Sequence, residues 1–155
     1  MTRIATPAIA TATGSTAEIY AQIKKAAGSV PNTYATIGAH GPAALKAVLQ
    51  ADGVLAAGTL GKKDLETIKL LVSEVAGCDY CVAAHSLLGK LAGLQPAALK
   101  QVRTGQPTGD AKRDALVRFV GNLVRTQGTI NGEEFAAIKA AGYTRGPRVG
   151  SSPAI

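Results

Sequence analysis

Cys78-Asp79-Tyr80-Cys81-Val82-Ala83-Ala84-His85 holds both cysteines of the chain and one of its two histidines. Spacings of three and then four residues return to the same side of an α-helix, so Cys78, Cys81 and His85 share one narrow face. No period-two strand leads into this motif. The pair therefore opens a helix within a helical surround. A thiolate, not a thiol, attacks peroxides and disulfides. Cys78 stands at the helix start, where the dipole favours an anion. Cys81 lies one turn in, and His85 one turn further, placed to take or share the Cys81 proton. Two cysteines one turn apart can close a disulfide after modest adjustment, and a sulfenic acid on one can be resolved by the other.

Reading outward, the stretch from Gly61 to Ala76 is the most apolar helix. Leu65, Ile68, Leu71, Val72 and Val75 form one broad side, with Leu70 on the other. Glu66 falls nearly opposite the centre of that apolar side. Periodicity alone reads it as a solvated carboxylate, and Glu74 as a surface one. Asp64 complements the dipole in the first turn. The motif helix runs from about Asp79 to Ala92, with Ala84, Leu87, Leu88 and Leu91 as its expected core stripe. Gly89 and Ala92 leave room beside His85 for a neighbouring helix or a ligand, and Gly93 is the stop.

Further out, Ser15 and Glu18 have capping-box spacing before a first helix that ends at Gly28. Pro31 starts a short second segment toward Ile37. Gly41-Pro42 opens a third helix carrying Leu45, Val48, Leu49 and Leu55. A short helix follows Pro96, and Gln101 to Gly109 reads as a polar loop. Lys112 to Gln127 is amphipathic. Asn131 and Glu134 form a capping-box-like start, with Ile130 and Phe135 placed as a hydrophobic staple, for a last helix ending at Gly142. His40, before a Gly-Pro turn, reads as a loop or packing histidine. Tyr20, Tyr34 and Tyr143 give no site signal. The expected architecture is all-α: a flexible arm over residues 1–14, one helical domain of about seven helices over 15–144, and an irregular tail over 145–155.

The chain has 155 residues, enough for one domain with a hydrophobic core. Apolar residues make up 46 % and charged residues 17 %, which excludes disorder and suits a well-buried or oligomeric protein. The net charge of +7 is scattered, with no basic run longer than two, and stacking aromatics are scarce. Nucleic-acid binding is not expected from such a distribution. Neither a membrane span nor a signal peptide is evident, so no membrane partner and a cytoplasmic location are expected. In that compartment a CxxC pair is catalytic or metal-binding more often than a structural staple.

Three other readings of the cysteines stand beside thiol redox catalysis. Cys78, Cys81 and His85 supply three zinc ligands, but a closed zinc site takes four, and only His40 or a carboxylate remains. Two inert buried cysteines would also fit, since free cysteine is often core. A thioredoxin-like oxidoreductase needs a strand before its CxxC, and the preceding stretch is helical.

Glu66, followed after twelve positions by Cys78-x-x-Cys81-x-x-x-His85 and then Gly93, resembles the alkylhydroperoxidase (AhpD-like) branch of the carboxymuconolactone decarboxylase family. Val30-Pro31-Asn32 with Tyr34, Gly41-Pro42-Ala43-Ala44-Leu45, and Leu60-x4-Leu65-Glu66-x-Ile68 resemble the family's flanking sequence. The similarity extends over about Val30 to Tyr143. It implies an all-helical homo-oligomer, a trimer or hexamer, that reduces hydroperoxides. It further implies that Cys81 is the peroxidatic thiol, Cys78 the resolving thiol, and His85 with Glu66 a proton relay. No bound cofactor or metal is implied. The dithiol is restored from outside by a thiol reductant, in some members the dihydrolipoyl group of a lipoylated partner protein.

Two alternatives remain. One is a decarboxylase-type enzyme using His85 and Glu66 as acid and base, although that branch generally lacks the cysteine pair. The other is a non-catalytic helical module that senses redox state or binds metal. Two departures from the family are visible. Tyr80 stands where some members have a second relay histidine. The Gly/Pro/Ser-rich sequence from Arg145 replaces a further helix.

Overall fold

The computed structural model describes residues 8–143. The tail over 145–155 and the first half of the N-terminal arm lie outside the described residues. Among the described residues there are eight α-helices, one short 3₁₀ turn and no strand. The all-α expectation is met, with one helix more than the periodicity suggested. The chain divides into two compact units, one up to Ala57 and one from Gly58.

In the first unit the 3₁₀ turn Ile9–Thr11 precedes α1 (Gly14–Ala27), α2 (Asn32–His40) and α3 (Pro42–Ala56). Its core is Tyr20, Ile23, Val30, Ala35 and Leu45. The Tyr20 hydroxyl donates to the Ala35 carbonyl at 2.5 Å, so the phenol is buried without an orphaned oxygen. Gly38 makes that approach possible. A Cβ there would lie 2.7 Å from the Tyr20 ring. The Ser15–Glu18 capping box does not form. α1 begins two residues earlier, behind Thr13, which makes no side-chain cap bond. α2 runs on to His40, whose side chain is exposed in the last turn, and of the expected α3 stripe only Leu45 is fully buried.

The second unit contains α4 (Lys62–Val75), α5 (Asp79–Leu91), α6 (Pro96–Thr104), α7 (Ala111–Arg125) and α8 (Gly132–Ala140). α4 packs against α5, α6 and α7, and α7 carries α8. The core gathers Leu70 and Leu71 of α4 with Leu94, Leu99, Val102, Leu116, Val117, Val120 and Ile138. α6 extends through Thr104, so the first residues of the expected polar loop are helical. The capping box at Asn131 and Glu134 is formed in both directions.

α4 does not present the face its apolar periodicity indicated. Thr67, Leu70, Leu71 and Ser73 are its buried residues, Leu65, Ile68 and Val72 are partly covered, and Val75 is exposed. Helices on three sides leave α4 no single core stripe. Its two buried hydroxyls solve their polarity locally. Thr67 donates to the Lys63 carbonyl at 2.8 Å, and Ser73 to that of Lys69 at 2.6 Å.

Candidate active site

Two residues, Ala76 and Gly77, separate α4 from α5. Gly77 adopts φ +65°, a left-handed conformation that glycine takes without steric cost. The Gly77 amide bonds the Glu74 carbonyl at 3.1 Å, and the Cys78 amide bonds that of Ser73 at 3.0 Å. This is the paired C-terminal closure of a helix by a left-handed glycine. It delivers Cys78 directly to the N-cap of α5, where its sulfur accepts a hydrogen bond from the Cys81 amide at 3.3 Å. Cys78 and Cys81 are joined as a disulfide, with their Cα atoms 5.3 Å apart. Both residues are partly exposed.

One turn beyond Cys81, His85 meets Glu66 of α4. Its Nδ1 lies 2.9 Å from Glu66 Oε2, with the two side chains 22 % and 14 % exposed. A carboxylate only accepts, so Nδ1–H donates to Glu66 and Nε2 is left as the basic nitrogen of the neutral ring. Glu66 is thus mostly buried and paired, not solvated as its helical phase alone suggested. All four residues of the sequence motif lie along the α4–α5 contact: a disulfide at the start of α5 and a carboxylate–imidazole pair one turn on.

The α5 leucines are the counterpart of this arrangement. Leu87, Leu88 and Leu91 are 60 %, 45 % and 75 % exposed, so the expected core stripe faces outward. The buried residue of α5 is Gly89. A Cβ there would come within 2.8 Å of a Leu99 methyl, 3.2 Å of a Leu94 methyl and 3.8 Å of the Glu66 Cβ. The missing side chain lets α5 press its cysteine–histidine side inward. At Gly89 the space the sequence left open is taken up by Leu94, Leu99 and Glu66.

Arg103 of α6 is a neighbour of the site that sequence reasoning passed over inside its polar loop. Its guanidinium pairs with Glu74 at 2.6 Å. That hydrogen bond and the Glu74 charge raise the Arg103 pKa, and Asp79, next to Cys78, adds to the effect. Glu74 is accordingly an ion-pair partner and not a free surface acid. No local spacing links residues 29 positions apart, so periodicity offered no signal for this pair. Tyr80 is half exposed. No group of three or more His, Cys, Asp or Glu among the described residues is arranged to hold a metal ion.

Residues 42–106 match the carboxymuconolactone decarboxylase family. The match includes Glu66, both cysteines and His85, and it bears out the family resemblance, over a shorter stretch than Val30 to Tyr143. The family covers AhpD-like proteins and its members are typically enzymes. No curated protein is significantly similar to this chain.

Proposed function

We propose that this chain is a thiol-dependent hydroperoxide reductase. The observation that carries the reading is the succession along α5 of a closed Cys78–Cys81 disulfide and a His85–Glu66 pair. The first is the product of two-electron oxidation of a dithiol. The second is a base held in one tautomer by a buried carboxylate. In the reaction His85 Nε2 takes the Cys81 proton, and the Cys81 thiolate attacks the terminal peroxide oxygen. The O–O bond breaks, the alcohol leaves with a proton, and Cys81 becomes a sulfenic acid. Cys78 attacks that sulfur, water departs, and the disulfide closes. An external dithiol, such as a dihydrolipoyl group on a partner protein, returns the two electrons.

This assignment needs neither bound cofactor nor metal, and it fits a cytoplasmic, homo-oligomeric enzyme without nucleic-acid or membrane partners. Among the described residues no helix is long and apolar enough to cross a membrane. Peroxide consumption with a panel of dithiols, dihydrolipoamide among them, tests the function. Turnover that oxidises both thiols to an intramolecular disulfide supports it. Thiols inert to peroxide would overturn it in favour of acid–base chemistry by His85 and Glu66 alone, the decarboxylase-type alternative.

A further inference from the structure

We propose that the two sulfurs have fixed electronic roles in the return half of the cycle: the reductant attacks Cys81, and Cys78 leaves as the thiolate. This rests on the thiol-redox reading above. The geometry separates the two sulfurs although both are partly exposed. Cys78 is the N-cap of α5, and its sulfur accepts the Cys81 amide at 3.3 Å. That amide is one of the four N-terminal donors a helix leaves unpaired, and it points where charge would develop on Cys78. Cys81 lies inside the first turn and is not the cap. In thiol–disulfide exchange the sulfur with the lower thiol pKa leaves faster, so attack goes to its partner.

The charged groups around the start of α5 leave this polarity in place. Asp79 in the first turn is the one negative neighbour in sequence, and Arg103, raised by its bond to Glu74 and by Asp79, lies within electrostatic reach of it. Glu74 is engaged by Arg103. His85 and Glu66, further along the contact, are engaged with each other.

A thiolate of the external dithiol attacks Cys81 Sγ, the Cys78–Cys81 bond breaks, and its electron pair stays on Cys78 Sγ, held by the Cys81 N–H. The dithiol's second thiolate attacks the dithiol sulfur of the mixed disulfide. The bond to Cys81 breaks, Cys81 Sγ takes a proton, and the dithiol departs as a disulfide. The protein then holds a Cys78 thiolate beside a Cys81 thiol. Cys78 is ready to resolve a sulfenic acid, and Cys81 loses its proton to His85 only when peroxide arrives. The same arrangement explains why the resting thiolate is not the peroxide-attacking one. The proton that the departing alkoxide needs stays on Cys81 until peroxide arrives and then passes by way of His85.

Two measurements test this, and neither requires peroxide turnover. Oxidised protein is mixed briefly with excess glutathione, an alkyl monothiol, in the presence of a fast maleimide that traps the released thiol, and fragmented to locate each label. The expected product carries glutathione on Cys81 and the maleimide on Cys78. The reverse placement would overturn the assignment. Because adducts can migrate between neighbouring cysteines, thiolate absorbance is also titrated in Cys81→Ser and Cys78→Ser. Cys78 in the first variant should ionise at least about one pH unit, tenfold in thiolate population, below Cys81 in the second. Equal or inverted midpoints would sink the proposal. A protein that shows the expected polarity but ignores peroxide would discredit the peroxidase reading and leave this one standing.

Discussion

The two cysteines along the α4–α5 contact should fail differently, and the His85–Glu66 pair should fail as a unit. Cys81→Ser should abolish peroxide turnover, whereas Cys78→Ser should still accumulate a sulfenic acid on Cys81, detected by dimedone capture and mass spectrometry. A sulfenic acid trapped only on Cys78 would reverse the roles. His85 and Glu66 are joined at 2.9 Å and should act as one device. Loss of a positioned acid–base group costs about 10²–10⁴ in rate. Glu66→Gln combined with His85→Ala should therefore be little slower than the worse single variant, since groups acting as a unit are not additive. Logarithmic losses that simply add would show two independent contributions. The cysteines and His85 were legible in the sequence because three- and four-residue spacings fix a shared helix face. Glu66 was not, since periodicity turned it toward solvent. The resemblance to a family supplied it, and its burial follows from tertiary packing of α4 on several sides.

The elements show where local pattern reading holds and where it fails. Most helix ends written by short-range chemistry came out well, the Ser15–Glu18 cap excepted: Gly93 as the stop of α5, Pro42 and Pro96 as helix starts, and the reciprocal cap of Asn131 and Glu134. Faces written by long-range packing did not. Leu87 and Leu91 belong to an apolar stripe by spacing, yet α5 turns Gly89 inward because only a hydrogen fits against Leu94 and Leu99. That contact gives an element-scale prediction. Gly89→Ala should overpack the α5–α6 contact and cost about 1–3 kcal/mol, read as a lower urea midpoint at unchanged slope. An unchanged midpoint would mean that α5 is not held so closely.

For the whole chain, the apolar surface bears on assembly. Leu70, on the side of α4 away from its main apolar run, is fully buried inside its own unit and argues for nothing outside it. The outward leucines of α5 carry the proposal of an oligomer, since monomers seldom leave such side chains clustered in water. Light scattering at micromolar concentration should show a trimer or a multiple of it, and Leu87→Lys with Leu91→Lys should reduce it to the mass of one chain. A wild-type monomer active toward peroxide would dismiss the idea. The Ala76-Gly77 junction has a different consequence. Cys78 both closes α4 through its amide and opens α5 through its sulfur, so the oxidation state of one atom is written into the backbone protection of the next turn. A thiolate accepts a hydrogen bond more strongly than a disulfide sulfur does. Deuterium should therefore enter the Cys81 amide faster after oxidation than before, while the amides of α7 and α8 keep their rates, a contrast followed by two-dimensional NMR. The first turn of α5 would then report the electron balance of its surroundings through the lifetime of a single proton.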